Sequence, residues 1–127
     1  MENIKATVKE IVTESNTALS VGSGSLKVYA TPAMLALMEK AACEAVASIL
    51  NEGETTVGTL LNVQHTAATP VGMEVSATAE LVSRDGRKLV FNVTANDDSG
   101  EIGKGTHERF IVFADRFTEK TYSKLNK

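Results

Sequence analysis

The chain has 127 residues, of which 43% are hydrophobic and 23% charged, and its formal net charge is −3. This length is typical of one domain with a buried core, and the negative charge argues against a general nucleic-acid or anionic-membrane surface. Tryptophan is absent and only 5% of the residues are aromatic, so an aromatic cage for bases or sugars is not expected. The composition therefore predicts a single domain, residues 1–127, that binds neither nucleic acid nor membrane.

The single cysteine, Cys43, excludes a disulfide within the chain and leaves a thiolate zinc site without enough ligands. The charged start, MENIKATVKE, lacks the apolar core of a secretory signal. No stretch approaches the roughly 20 apolar residues of a membrane-spanning helix. We therefore expect a cytoplasmic protein without a bound metal.

In chain order, the first predicted strand covers residues 4–13, and a polar loop over 14–25 and an extended lead-in or short strand, LKVYA, follow. The segment TPAMLALMEKAACEAVASILNEG predicts one long helix, with Thr31 as N-cap, Pro32 as first helical residue and Gly53 at the stop. Most of its circumference is apolar, which is typical of a helix buried on several sides. The apolar stripe consists of Leu35, Met38, Ala42, Val46 and Ile49, widened by Met34, Leu37 and Ala41.

Four strand-like runs follow, at about 55–67, 73–84, 87–97 and 101–113, and the turn signals RDGR and DDSG join the last three as hairpins. The tail, DRFTEKTYSKLNK, predicts a short helix or a frayed end. The order indicates an α+β domain in which a long central helix packs on one curved antiparallel sheet. Because a single sheet has open edges, we expect sheets to pair in a dimer.

Lys40 and Glu44 lie on the side of the helix opposite the apolar stripe and are expected to be solvated, whereas Glu39 and Cys43 need a separate interpretation. Glu39 lies about 60° from the centre of the apolar stripe, so its carboxylate must be paired, protonated or facing a cleft. A rim glutamate bonded to a backbone group or an arginine fits this position equally well. Cys43, among alanines, is interpreted as a small buried hydrophobe.

The strands also contain polar residues on apolar faces. By alternation, His65 shares a face with Val57, Thr59, Leu61 and Val63. A satisfied core histidine is the simpler interpretation of His65, and proton transfer is the alternative. A metal is not favoured, because His107 is the only other histidine. Gly58 lies inside a strand, where glycine often marks close approach of a ligand or another backbone.

The last predicted strand, IGKGTHERFIVF, contains an arginine on a face with two glycines. The residues of this face are Gly103, Gly105, His107, Arg109, Ile111 and Phe113. Arg109 is interpreted either as a solvated side chain or as an anion or carbonyl contact at the edge of a crevice.

The order of elements resembles the hotdog fold, in which an antiparallel sheet wraps a long helix. More closely, three stretches resemble the fluoroacetyl-CoA thioesterase-like family: TPAMLALMEKAA (31–42), VGTLLNVQHTAATPVGMEV (57–75) and GKGTHERFIV (103–112). They span most of residues 30–113. HTAATPVG together with GTHERF is a fairly specific combination, although each block is weak alone.

The resemblance implies an acyl-CoA thioesterase, a hydrolase that is a homodimer and needs no cofactor, because the CoA moiety is part of the substrate. It implies catalytic roles for Thr31, Glu39 and His65 and substrate binding by Gly58 and Arg109. Glu39 would activate water or attack as a nucleophile, His65 would position water or protonate the thiolate, and Thr31 would orient Glu39 or the water. A backbone N–H near Gly58 would meet the carbonyl oxygen, and Arg109 would contact the acyl end or the pantetheine. Since the crevice of a hotdog protein usually lies at a dimer interface, the resemblance is also consistent with a site in which Glu39 and His65 belong to different subunits.

One segment departs from the family pattern. Fluoroacetyl-selective members have aromatic side chains before the helix, whereas NTALSVGSGSLKVYA has only Tyr29. This difference favours a broader short-chain or aryl acyl-CoA hydrolase. The CoA phosphates need local cations in an acidic chain, and the candidates near the hairpin turns are Arg84, Arg87, Lys88 and Lys104.

Two other classes stay open. A hotdog hydratase or dehydratase needs a paired Asp/His arrangement on a strand-to-helix loop, and the lead-in VYATPAML has neither residue. A non-catalytic acyl-CoA-binding hotdog protein would bind thioesters without turnover. A generic carrier of apolar ligands is a further alternative, in which the strand glycines only permit packing.

Overall fold

The computed structural model describes residues 3–126, in which one strand and several helical segments precede a run of four consecutive strands. The strands are β1 (Lys5–Ile11), β2 (Glu54–His65), β3 (Glu74–Asp85), β4 (Lys88–Asp97) and β5 (Gly100–Phe113). They form one antiparallel sheet in the order β1-β3-β4-β5-β2. The predicted α+β class, a long helix on one curved antiparallel sheet, is confirmed, and so is the meander of β3, β4 and β5.

The loop predicted over residues 14–25 is partly helical. It contains a 3-10 turn (Glu14–Asn16) and a one-turn helix, α1 (Ala18–Val21). The side-chain oxygens of Thr13 and Thr17 accept backbone N–H groups at the starts of these two turns, which explains why so polar a segment is ordered. The lead-in LKVYA makes only isolated bridges and is extended, as expected.

The long helix, α2 (Thr31–Val46), begins and ends differently from the prediction. Ala30 is its N-cap and makes no side-chain capping bond, so the assignment of Thr31 as N-cap is wrong. The helix ends at Val46 and a 3-10 turn (Ala47–Ile49) follows, short of the predicted stop. Gly53, with φ +85°, lies in the turn that leads into β2.

The core lies between α2 and the concave face of the sheet. From the helix it contains Met34, Leu37, Met38, Ala41, Ala42, Ala45 and Val46, and from the sheet mainly Val75, Ala77, Ala79, Leu89, Phe91 and Val93. The prediction that Cys43 is buried is wrong: its side chain is exposed. Cys43 follows Lys40 by three positions and therefore shares the solvent face of the helix with it.

The edges of the sheet and the tail helix complete the fold. β1 and β2 are its edge strands. The predicted tail helix is present as α3 (Ala114–Tyr122), and a 3-10 turn (Ser123–Asn126) follows it. Within residues 3–126, no helix is both long and apolar enough to cross a membrane.

Candidate active site

A β-bulge in β2 decides which side chains face the helix. Gly58 pairs with Arg109, and Leu61 pairs with His107, so three positions on β2 match two on β5. Partners in an antiparallel pair share a face. The extra residue, Thr59, is exposed in the bulge.

The predicted face of β2 is therefore wrong in its first half. Strict alternation grouped Val57 and Thr59 with His65, whereas the bulge brings Gly58 onto the concave side instead. The second half, Leu61, Val63 and His65, is half-buried on that side as expected. Gly58 is in this way placed beside the arginine of the neighbouring strand.

Arg109 is buried, with 6% of its surface exposed, which rules out the interpretation as a solvated arginine. Its Nε donates to Thr56 Oγ1 at 2.8 Å, and its Nη2 donates to the Thr56 carbonyl oxygen at 3.1 Å. Its Nη1 donates to Glu39 Oε2 at 2.9 Å. Arg109 thus holds the Glu39 carboxylate at the rim of the core, and Thr56 is a supporting residue that the sequence did not reveal.

Gly58 leaves room for this carboxylate. A Cβ built on Gly58 would come within 3.0 Å of Glu39 Oε2 and would lie 3.1 Å from Arg109 Nη1. Real Cβ atoms essentially never approach other atoms within 3.0 Å. The sequence predicted close approach of a ligand or another backbone at Gly58, and within the protomer the approaching group is instead the side chain of Glu39.

His107 belongs to the same group and was considered from the sequence only as a metal ligand. It is fully buried, its ring stacks on Phe91 at 5.9 Å between centroids, and its Nδ1 lies 2.8 Å from the Leu60 carbonyl oxygen. Its Nε2 lies 3.1 Å from Arg109 Nη1 and 3.9 Å from Glu39 Oε2. These partners fit a neutral ring with Nδ1–H donating and Nε2 accepting. Burial is the main cause that lowers the pKa of His107.

A second polar group lies at the start of α2. Thr31 Oγ1 is 2.7 Å from His65 Nδ1. Burial lowers the pKa of His65, which favours the neutral imidazole near pH 7. The other ring nitrogen, Nε2, is buried and meets no partner at hydrogen-bond geometry among the described residues, although the backbone of Ala67 is close enough to raise the pKa of the ring against the larger effect of burial. Because buried polar atoms are nearly always paired, Nε2 is the atom of this pair that is left for a further hydrogen bond.

The Thr31–His65 pair lines a cleft of about 280 Å³. Most of its other walls are small side chains: Ala18, Ser23, Ala67 and Ala68. Tyr29 also lines it, but its ring is 1% exposed and its hydroxyl donates to Glu10 Oε2. The opening beside the histidine is therefore bounded by small groups rather than by an aromatic lid.

The five predicted site residues form two groups in the protomer rather than one. Thr31 and Glu39 are eight residues apart, or about 12 Å along the helix, and Gly58 and His65 are separated by about 20 Å of strand. Within residues 3–126, no hydrogen bond or ion pair joins Glu39 to Thr31 or His65. In the same range, no three His, Cys, Asp or Glu side chains are grouped as metal ligands would be.

Comparisons with known proteins agree with this fold. The model of a family described as fluoroacetyl-CoA-specific thioesterase matches residues 12–115. The fluoroacetyl-CoA thioesterase of Streptantibioticus cattleyicolor is 47% identical over 98 residues, which are 77% of this chain and 70% of that protein.

Two solved structures are also similar. A fluoroacetyl-CoA thioesterase structure superposes with a TM-score of 0.90 at 38% identity and covers 98% of this chain and 97% of that one. A thioesterase superfamily member from Thermus thermophilus gives 0.88 at 28% identity and covers 99% and 93%.

Together, the wrapped helix, the polar groups beside it and these likenesses define a thioester hydrolase with a hotdog fold. More specifically, the chain belongs to the fluoroacetyl-CoA-specific thioesterase family. The resemblance seen in the three sequence stretches is thereby confirmed.

Proposed function

We propose that this protein is a cytoplasmic homodimer that hydrolyses a small acyl-CoA thioester to the free acid and CoA. The observation that carries the proposal is the hydrogen-bonded Thr31–His65 pair in the wall of an open cleft, where Nε2 of His65 is left for a further hydrogen bond. A variant of the related fluoroacetyl-CoA thioesterase has been solved with acetyl-CoA, which supports this substrate class. CoA enters and leaves as part of the substrate, so the reaction uses no cofactor.

A second copy of the chain would complete the site. β2 is an edge strand, and Leu60 on it is 45% exposed. Two β2 strands that pair antiparallel about a twofold axis near Leu61 and Asn62 bring the His65 end of one strand beside the Gly58 end of the other. Glu39 of one subunit then faces the Thr31–His65 pair of the other across the cleft.

In this composite site, Glu39 accepts a proton from water as the water oxygen attacks the thioester carbonyl carbon. The backbone N–H of Gly58 donates to the carbonyl oxygen as negative charge develops on it. When the C–S bond breaks, the proton passes to the CoA sulfur, which leaves as a thiol. Neutral His65, oriented by Thr31, positions the attacking water through Nε2. Attack by the Glu39 carboxylate itself is the other route: the CoA thiolate leaves and a mixed anhydride with Glu39 forms. When water attacks the glutamyl carbon of that anhydride, ¹⁸O from labelled water stays in Glu39 after one turnover.

The role proposed for Arg109 differs from the substrate contact that the resemblance implies. All three of its nitrogens bond to groups of the protein, two to Thr56 and one to Glu39, and it is nearly inaccessible. Arg109 is therefore a positioning residue for the Glu39 carboxylate. Gly58 remains the proposed substrate contact of this pair.

The cleft supports a broader acyl group than fluoroacetyl. Its walls include Ala18, Ser23, Ala67 and Ala68, and the only aromatic residue of the preceding segment, Tyr29, is committed to a hydrogen bond with Glu10. We propose short-chain, branched or aryl acyl groups as substrates.

The experiment is CoA release from a panel of short-chain, halogenated, branched and aryl acyl-CoAs. Wild type is compared with Glu39→Gln and His65→Ala, and each variant is checked for folding by circular dichroism. Because Cys43 is exposed and reacts with thiol reagents, CoA is quantified by chromatography. Turnover that falls by orders of magnitude in both variants supports the proposal. Acyl-CoA binding without turnover in wild type would instead favour the non-catalytic binder.

A further inference from the structure

A basic and aromatic cluster lies at the end of β5 and on α3, away from the residues already described. It consists of Arg87, Phe113, Arg116, Phe117 and Lys120, which line a cavity of about 320 Å³. The guanidinium carbon of Arg87 lies 4.8 Å from the centroid of the Phe113 ring, and that of Arg116 lies 5.4 Å from the same centroid. Two like charges are thus held at one aromatic ring.

The charges of this basic–aromatic cluster are not balanced locally. Across residues 3–126, no carboxylate lies within 4.0 Å of its three cations. Arg116 and Lys120 are four residues apart on one helix, a spacing at which like charges repel. Both phenyl rings remain exposed, at 40% for Phe113 and 43% for Phe117. Three cations outnumber the two carboxylates beside them on α3, Asp115 and Glu119, and together with the exposed rings they favour an anion with an aromatic part.

We propose that this cluster binds the phosphorylated adenosine of the acyl-CoA substrate. Guanidinium groups match phosphate oxygens in geometry and charge. Since Arg87 and Arg116 lie over the Phe113 ring, the exposed Phe117 ring is the stacking platform for the purine. The proposal rests on the proposed acyl-CoA function. Of the residues in the cluster, only Arg87 was predicted from the sequence as a candidate for binding the CoA phosphates.

The position of the cluster suits a ligand that also reaches the catalytic residues. Phe113 lies on the same face of β5 as Arg109, four residues away, which is about 13 Å along a strand. The extended pantetheine arm of CoA spans such a distance between the nucleotide and the thioester. Of the other phosphate candidates, Lys88 pairs with Glu108 at 3.5 Å, and Lys104 lines a separate groove.

The variants that test the cluster must leave its structural contacts intact. Arg87 Nη1 donates to the Ile111 carbonyl oxygen at 3.3 Å, so Arg87 has a packing function of its own. Arg116 and Lys120 have exposed side chains, and their replacement leaves that contact in place. The test therefore uses the double variant Arg116→Gln/Lys120→Gln, with Lys5→Gln on the edge strand β1 as the matched loss of an exposed cation.

The experiment compares two substrates with the same acyl group, the acyl-CoA and the acyl-pantetheine thioester that lacks the nucleotide. We expect the double variant to raise KM for the acyl-CoA about tenfold or more and to leave kcat unchanged. Its kinetics on acyl-pantetheine, and those of Lys5→Gln on both substrates, stay at wild-type values. An equal effect on both substrates, or no effect on either, would overturn the nucleotide site.

Binding of adenosine 3′,5′-bisphosphate, measured by calorimetry, tests the site without turnover. Wild type should bind it, and the double variant should bind it at least tenfold more weakly. Inorganic phosphate serves as the comparison: if it binds as tightly as the bisphosphate, the cluster is a simple anion site and the proposal is wrong. If wild type binds the bisphosphate through the cluster but turns over neither thioester, the nucleotide site stands and the hydrolase proposal fails.

Discussion

Replacing Gly58 by alanine tests the geometry of the Glu39 carboxylate with a single methyl group. The new Cβ would lie within 3.0 Å of Glu39 Oε2, 3.1 Å from Arg109 Nη1 and 3.3 Å from His107 Cε1. All three distances are below the 3.4 Å at which ordinary contact begins. The carboxylate must move away, and the arginine that holds it is crowded by the same methyl group.

The expected cost follows from this displacement. A catalytic group misplaced by about 1 Å loses about 100-fold in rate, so kcat for Gly58→Ala should fall about 100-fold. Tm should change less than kcat, because the most crowded atom is the end of the half-exposed Glu39 side chain, whereas the buried Arg109 and His107 need to give way only slightly. Alanine also fits an extended strand at least as well as glycine. Steady-state CoA release gives kcat, and thermal unfolding followed by circular dichroism gives Tm.

A double-mutant cycle shows whether the methyl group acts through Glu39. In a Glu39→Gln background, adding Gly58→Ala should lower kcat by much less than in wild type, since the group that it displaces has already lost its function. Full activity of Gly58→Ala would refute the reasoning. Independent, additive losses would also refute it, because they would place the effect of the methyl group elsewhere.

Three further changes test other contacts of the site. Arg109→Lys should lower kcat at least tenfold and also lower Tm, because lysine cannot reproduce the planar fork; an unchanged kcat would contradict a positioning role. Thr31→Val should lower kcat about tenfold or more at constant Tm, because His65 loses its partner; equal rates would argue against that contact. Burial lowers the pKa of His107 in the folded state, so its stabilising contribution is complete above about pH 6.5 and is lost as pH falls. Urea unfolding from pH 7.5 to 5 should show a shallower loss of stability in His107→Asn, and identical slopes would contradict this.

The fold was largely predictable from the sequence because its signals are periodic. Hairpin turns and β-branched runs predicted β3, β4 and β5 within one or two residues of their observed ends. The apolar width of α2 predicted that the sheet wraps around it. Cys43 was misassigned because it lies among alanines, and only its spacing from Lys40 indicates the solvent face.

The site was harder to predict, because its arrangement depends on the bulge in β2. One extra residue at Thr59 exchanges the two faces of the first half of the strand, and no pattern of apolar residues reveals it. The position of Thr31 was misjudged for another reason: its hydroxyl bonds to His65, far away in the sequence, in preference to capping its own helix. Strand alternation did place His107 beside Arg109, so this residue was within reach of the sequence.

Subunit complementation measures the central claim most directly, namely that Glu39 of one subunit works with Thr31 and His65 of the other. Glu39→Gln and His65→Ala chains, each inactive alone as a homodimer, are co-expressed or refolded together. Half of the randomly paired dimers are then hybrids with one intact site of two, which gives about one quarter of wild-type activity. Recovery of that activity in the mixture is the predicted result. A mixture no more active than its parent variants would contradict a site shared between subunits.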